Sequence, residues 1–193
     1  MCNFGWYNDA MTKLTRDIIL DAAAELVEQN GVDGVTLADV GKKIGISHAA
    51  LYKYFKNKRD LWTSLSLRWL NAILGDIFPF DTTGYTSKAA IAHDWLWDLA
   101  KGKMDAYQDD PTMFRLYTEY IDANEDVLAI HFGDLAASLK TALGTDDMVR
   151  VQALISAFVQ FTTPVFAKTW GPHSQDDFEA IWALIAPGLE ESF

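Results

Sequence analysis

Residues 45–61 read GISHAALYKYFKNKRDL, and the fold of the N-terminal part follows from their order. Gly45 is a helix stop, Ser47 carries a side-chain oxygen suited to capping a new helix, and Leu51 and Phe55 are spaced to share its inward face. Ala49, Tyr52, Lys53 and Lys56 then fall on the opposite side, and Asn57-Lys58 opens a further helix through Leu61, Leu65, Trp69 and Ile73. The whole stretch from Asp39 to Asp60 has no acidic residue between its ends, yet it holds Lys42, Lys43, Lys53, Lys56, Lys58 and Arg59. A run of positive charge of this kind is either a solvated helix face or a surface for phosphates.

Upstream of this stretch, Ile18, Ile19, Ala22, Ala23, Leu26 and Val27 recur at helical spacing, with Asp17 in the first turn and Asn30-Gly31 as a stop. Thr36, with Asp39 three residues on, predicts a capping box for a short helix whose buried stripe is Leu37, Val40 and Ile44. Two short helices joined at Gly45 form a helix-turn-helix, in which the second helix is narrow enough for the major groove of duplex DNA. Its first turn has no carboxylate, so its backbone N–H groups and the Ser47 hydroxyl are available to acceptors.

Composition sets the outer bounds. The chain has 193 residues, 50% of them hydrophobic and 13% aromatic, enough for one or two packed domains. Its net charge of -11 argues by itself against nucleic acid, but the lysine-rich stretch is a basic island and leaves the remainder more acidic still. The longest apolar run, 153–166, is broken by Ser156, Gln160, Thr162, Thr163 and Pro164, and falls short of the roughly 20 apolar residues of a membrane span. Met1 to Met11 shows no basic segment followed by an apolar core, so the expectation is a soluble cytoplasmic protein with no membrane partner. The single cysteine, Cys2, excludes a disulfide framework or a cysteine metal site within one chain.

Past Pro79 the sequence predicts further helices and no strands, for about nine helices in all and an all-α fold. Thr86 or Ser87 opens one through Ile91, Trp95 and Leu99; Asp110-Pro111 starts another carrying Phe114, Tyr117 and Ile121. Asn124 opens a helix through Val127, His131, Leu135 and Leu139 that ends at Gly144. Thr145 opens a long penultimate helix reaching Trp170, with Pro164 kinking or dividing it, and Gly171-Pro172 ends it. Ser174 with Asp177 starts the last helix, which carries Phe178, Ile181, Trp182, Ile185 and Leu189.

The N-terminal residues resemble the tetracycline-repressor (TetR/AcrR) family of bacterial transcription regulators. The resemblance runs through Ile19, Ala22, Ala23, Gly31, Thr36, Val40, Gly45, Ser47, Leu51, Tyr52, Phe55, Lys58 and Leu61, roughly residues 13–62. Gly41 stands where alanine is usual, and Tyr54 where histidine is common. The resemblance implies a DNA-binding domain over 1–62 and a helical ligand-binding and dimerisation domain over 63–193. It further implies that Thr36, Ser47, Tyr52 and Lys58 hold phosphates while His48, Ala49 and Lys53 face base edges, with Tyr54 beside them. Tyr52 and Tyr54 are otherwise packing aromatics, and His48 otherwise an idle surface residue. Lysine can donate to O6 and N7 of guanine, which makes Lys53 the best candidate for direct readout.

In such a regulator the last two helices pair with those of a second copy, and the middle helices surround an unidentified small-molecule effector. Trp95, Phe114, Tyr117, His131 and Phe158 are then the candidate lining, the bland reading being ordinary core. Ala153, Ala157, Phe158, Phe161, Ile181, Trp182 and Ile185 belong either to the dimer seam or to intrachain core. No metal or cofactor is expected, since His131 has no His or Cys partner at helical spacing. The competing reading is an all-helical enzyme or binding protein that keeps the N-terminal helices as scaffold, but the sequence shows no phosphate-cradling glycine loop, nucleophile elbow or paired metal ligands to carry catalysis.

Overall fold

A computed structural model describes residues 14–190. Cys2 and the segment Met1 to Met11 lie outside the described residues. The described chain is all-α, with nine α-helices, and it divides into two compact units, residues 1–61 and 62–193.

The first unit is built from α1 (Arg16–Asn30), α2 (Leu37–Lys43) and α3 (His48–Leu51). Thr15 caps α1 by accepting the Ile18 N–H, and Ile19, Leu20, Ala22, Ala23 and Val27 form its buried stripe. Gly31, at φ 71°, closes the helix by donating its N–H to the Val27 carbonyl at 2.8 Å. The expected capping box is present: the Thr36 hydroxyl accepts from the Asp39 N–H at 3.3 Å while the Asp39 carboxylate accepts from the Thr36 N–H at 2.9 Å. Between α2 and α3 the chain reverses through Gly45, at φ 72°, a conformation that costs other residues dearly. A Cβ on Gly41 would stand 3.0 Å from the Ile46 carbonyl oxygen, so the glycine lets α2 lie close against this turn.

The helix after Ser47 is shorter than its apolar spacing predicts. Regular helix ends at Leu51, because the next amides reach back only three residues: Lys53 N–H donates to the Ala50 carbonyl at 3.3 Å and Tyr54 N–H to the Leu51 carbonyl at 2.9 Å. Lys53 and Lys56 therefore lie beyond α3, although Leu51 and Phe55 are buried together as expected. The following helix, α4 (Lys58–Ile73), starts with a reciprocal pair in which Asn57 Oδ1 accepts from the Asp60 N–H and the Asp60 carboxylate accepts from the Lys56 N–H.

The second unit adds α5 (Lys88–Asp109), α6 (Pro111–Tyr117), α7 (Glu125–Leu143), α8 (Met148–Ala157) and α9 (Ser174–Glu190). Ser87 caps α5 and Asp110 caps α6, with Pro111 in the first turn where its missing N–H costs nothing. A wide turn, Thr118–Asp122, follows α6 directly. Gly144, left-handed at φ 56°, ends α7 as the sequence predicts. The core gathers Trp95, Leu96, Leu99, Phe114, Tyr117, Leu139, Phe158 and Phe178 from these helices.

Two expectations need correction here. The penultimate helix does not run from Thr145 to Trp170: Asp147 caps it, and it ends at Ala157. The Phe158 N–H turns back to the Ile155 carbonyl, Thr162 and Thr163 both donate to Val159, and Thr163 is extended ahead of Pro164, which has no N–H to continue a ladder. Short 3-10 turns, Val159–Phe161 and Pro164–Thr169, replace the missing length. Ser174 is likewise the first residue of α9 rather than its cap; its hydroxyl accepts from the Gly171 N–H at 2.9 Å. The apolar cluster left open between seam and core splits in two. Phe158 and Phe161 are buried and Ile181, Trp182 and Ile185 half-buried, whereas Ala153 and Ala157 are exposed.

Candidate nucleic-acid interface and effector cavity

The candidate DNA-facing side chains gather on α3, the turn after it and the start of α4. Ser47, His48, Ala49, Tyr52 and Lys53 are exposed, and Lys58 is half-buried. Tyr52 is 50% exposed, an unusual state for a tyrosine that serves only packing, and its ring stacks edge-on against His48 at 4.9 Å. Lys42, Lys53, Lys56 and Arg59 are exposed as well, while Lys43 is paired with Glu25 of α1 at 2.7 Å. The basic stretch therefore keeps most of its charge available for phosphates. Since α3 is a single turn, its dipole is weak.

Thr36 and Tyr54 stand differently. The exposed Thr36 hydroxyl is engaged by Asp39, which it also serves as donor at 2.6 Å, and these bonds to Thr36 hold the Asp39 carboxyl below the usual range. Tyr54 is half-buried; its hydroxyl donates to the Leu14 carbonyl at 3.1 Å and its own carbonyl accepts from Arg16. The Arg16 guanidinium also lies over the Phe55 ring at 4.1 Å. Arg16 and Tyr54 thus clamp the end of the helix-turn-helix to α1. This clamp was not legible in the sequence, because the partners lie 38 residues apart.

In the second unit, the candidate lining residues separate by environment. Trp95, Phe114 and Phe158 are core: Trp95 and Phe158 are wholly buried, Phe158 packs on Phe178 at 4.7 Å between ring centroids, and Phe114 sits between Tyr107 and Tyr117. His131 lines a cleft of about 740 Å³, together with Leu67, Phe78, Phe80, Ile130 and Ser138. His131 and Tyr117 both line a second, small cavity of about 50 Å³. The side chain that dominates the small cavity is Lys103, which sequence reasoning missed. Its signal was present: Leu96, Ala100 and Lys103 follow the apolar spacing of α5, so a lysine occupies a core position. Among the described residues, no group of three or more His, Cys, Asp or Glu side chains could hold a metal ion, and no helix is long and apolar enough to cross a membrane.

Two short helices joined at a left-handed glycine, with exposed lysines beyond the second, define a helix-turn-helix, and the second unit of the chain is all-helical. Comparison with known proteins gives the lineage. The family model described as bacterial regulatory proteins, tetR family, matches residues 19–65, and that described as tetracyclin repressor-like, C-terminal domain, matches residues 92–182. The chain belongs to the TetR family of bacterial regulatory proteins.

Relatives carry the likeness mainly in the first unit. The tetracycline repressor protein class D of Escherichia coli is 40% identical over 60 residues, covering 31% of this chain and 28% of the repressor. The HTH-type transcriptional regulator YobS of Bacillus subtilis is 31% identical over 85 residues, covering 43% of this chain and 44% of its own length. The matches thus span less than half of these relatives. Two TetR-family transcriptional regulators of Streptomyces coelicolor share the fold across nearly the whole chain. One has a TM-score of 0.54 at 23% identity, covering 94% of this chain and 98% of its own, and the other 0.56 at 20%, covering 92% and 99%.

Proposed function

We propose that the chain is a cytoplasmic, homodimeric repressor that holds a pseudo-palindromic operator and releases it when a small molecule binds the second unit. The observation that carries the reading is the exposed, carboxylate-poor surface of Ser47, His48, Tyr52 and Lys53, flanked by Lys42, Lys56 and Arg59, on an otherwise acidic protein. In this reading residues 1–62 are the DNA-binding domain and 63–193 the effector and dimer domain. Ser47, Tyr52 and Lys58 contact phosphates with Thr36 beside them, His48, Ala49 and Lys53 meet base edges, and Tyr54 serves by holding the motif in shape.

The dimer reading is supported by a continuous apolar stripe that α9 turns to solvent: Ala180, Ala183, Leu184, Pro187 and Gly188, with Leu184 83% exposed. On α8 the exposed residues include Val149, Ala153 and Ala157, small enough for close helix approach. Two such copies would set their recognition helices roughly 34 Å apart, one turn of duplex. His131 and Tyr117, which line cavities, are the better effector candidates of the five; Trp95, Phe114 and Phe158 support them from the core.

The test is a mobility shift with the DNA upstream of the chain's own gene, run across salt. Retardation that weakens steeply with ionic strength, and that is lost in a Lys53→Ala, Tyr52→Ala double variant, is the expected result. Absence of retardation at low salt refutes the reading.

A further inference from the structure

Lys103 is 4% exposed, yet the hydrogen-bond partners of its ammonium are both neutral. Nζ donates to the Tyr117 hydroxyl at 2.8 Å and faces His131 Nε2 at 3.5 Å. Among the described residues no carboxylate stands within ion-pair distance of it. Burial pushes the Lys103 ammonium down to about 8, so it remains mostly charged at neutral pH, and burial pushes His131 down to about 3, so the imidazole is neutral. Asp122, on the same cavity, attracts the ammonium from beyond ion-pair distance; a buried cation with no direct ion pair is still costly, and folds that keep one commonly use it.

The donor count points to what it is kept for. An ammonium has three N–H groups, and two of them face Tyr117 and His131. The Tyr117 oxygen accepts from Lys103, which leaves the phenolic proton to be given elsewhere; burial raises this hydroxyl's pKa and keeps that proton in place. Both unspent donors border the cavity of about 50 Å³, whose other walls include Leu128, Leu135 and Ile155. That volume holds a group of roughly one or two water molecules' size, which suits a carboxylate and excludes a ring. Asp122, on the same cavity, adds a negative charge at its edge that disfavours a dianion. His131 lines the larger, mostly apolar cleft as well, so it borders both spaces.

We propose that the effector is a small monocarboxylic acid whose carboxylate is held by Lys103 and the Tyr117 hydroxyl in the small cavity, with its apolar part extending past His131 into the cleft. The proposal rests on the reading of the second unit as the effector domain and names the ligand class.

The test is calorimetry on the purified full chain without DNA, with straight-chain monocarboxylates from acetate to decanoate and benzoate, each against its own alcohol and amine. At least one acid binds more than tenfold tighter than its alcohol and amine. Lys103→Met, which keeps the volume and removes the charge, weakens that acid by roughly tenfold to a hundredfold, and Tyr117→Phe by about fivefold. The urea midpoint of Lys103→Met, equal to or above that of the unaltered chain, shows that the loss is not unfolding. Equal binding of acid and alcohol, wild-type affinity in Lys103→Met, or no binding of any acid at millimolar concentration overturns the proposal. A parallel mobility shift separates the two readings: DNA binding without acid binding refutes only the ligand class, and acid binding without DNA binding refutes only the regulator.

Discussion

The indole N–H of Trp95 on α5 donates to the Ser138 hydroxyl on α7 at 3.1 Å, and that hydroxyl donates in turn to the carbonyl of Ile77. One serine thus satisfies two polar groups from two other segments, in a region where Trp95 is wholly buried. Ser138→Ala strands the indole N–H and the carbonyl together. The expected cost is about 1–3 kcal/mol, read from urea unfolding followed by tryptophan fluorescence. A loss below about 0.5 kcal/mol would mean that water replaces the hydroxyl.

Tyr52 and Tyr54 are two residues apart and respond oppositely. Tyr54→Phe removes the bond to the Leu14 carbonyl and lowers the stability of the first unit by about 1 kcal/mol, with operator affinity nearly intact. Tyr52→Ala leaves stability within about 0.5 kcal/mol, because the ring is half in solvent, and weakens DNA binding. Paired denaturation and anisotropy measurements check both.

Gly45 is strained for any side chain by its backbone alone, since a Cβ there would meet no atom within 4 Å. Gly45→Ala should therefore cost about 1 kcal/mol through φ rather than through a clash. A larger variant, Gly45→Val, is expected to cost little more than the extra β-branching does. Thermal unfolding of the two side by side distinguishes strain from crowding.

His93 on α5 lies between Asp94 at 2.6 Å and Glu179 of α9 at 3.0 Å. Burial opposes its charge, but the hydrogen bonds and charges of the two carboxylates outweigh this and raise its pKa. A raised folded pKa means that the stabilisation is complete below the unfolded value of 6.5 and is lost as pH rises through the folded pKa. The melting-temperature advantage of the unaltered chain over His93→Gln is thus largest at pH 5.5–6.5 and shrinks in alkaline buffer. An advantage that grows with pH instead would contradict the assignment.

The local features of the fold were legible wherever one residue type performs one short-range task. Thr36 with Asp39, Ser47, Gly45, Asp110-Pro111 and Gly144 each act within a turn of helix, so the chemistry of the side chain predicts the element. The length of the penultimate helix was not legible, because apolar spacing continues through Phe158 and Phe161 while the hydrogen-bond ladder does not. The Arg16–Tyr54 clamp and the partners of Lys103, Tyr117 and His131, depend on residues far apart in the chain, which periodicity does not register, although the apolar spacing of α5 did mark Lys103 itself as buried. Among the aromatic candidates for the effector site, spacing alone does not separate a core ring such as Phe158 from a cavity wall such as Tyr117.

The break between Ala157 and Pro164 has a mechanical consequence. A rod of continuous helix would carry a push at Trp170 to Met148 undiminished. With regular helix ended at Ala157 and no N–H at Pro164, small torsions in that joint absorb axial displacement, so the rod of α8 that packs on α7 stops short of Trp170.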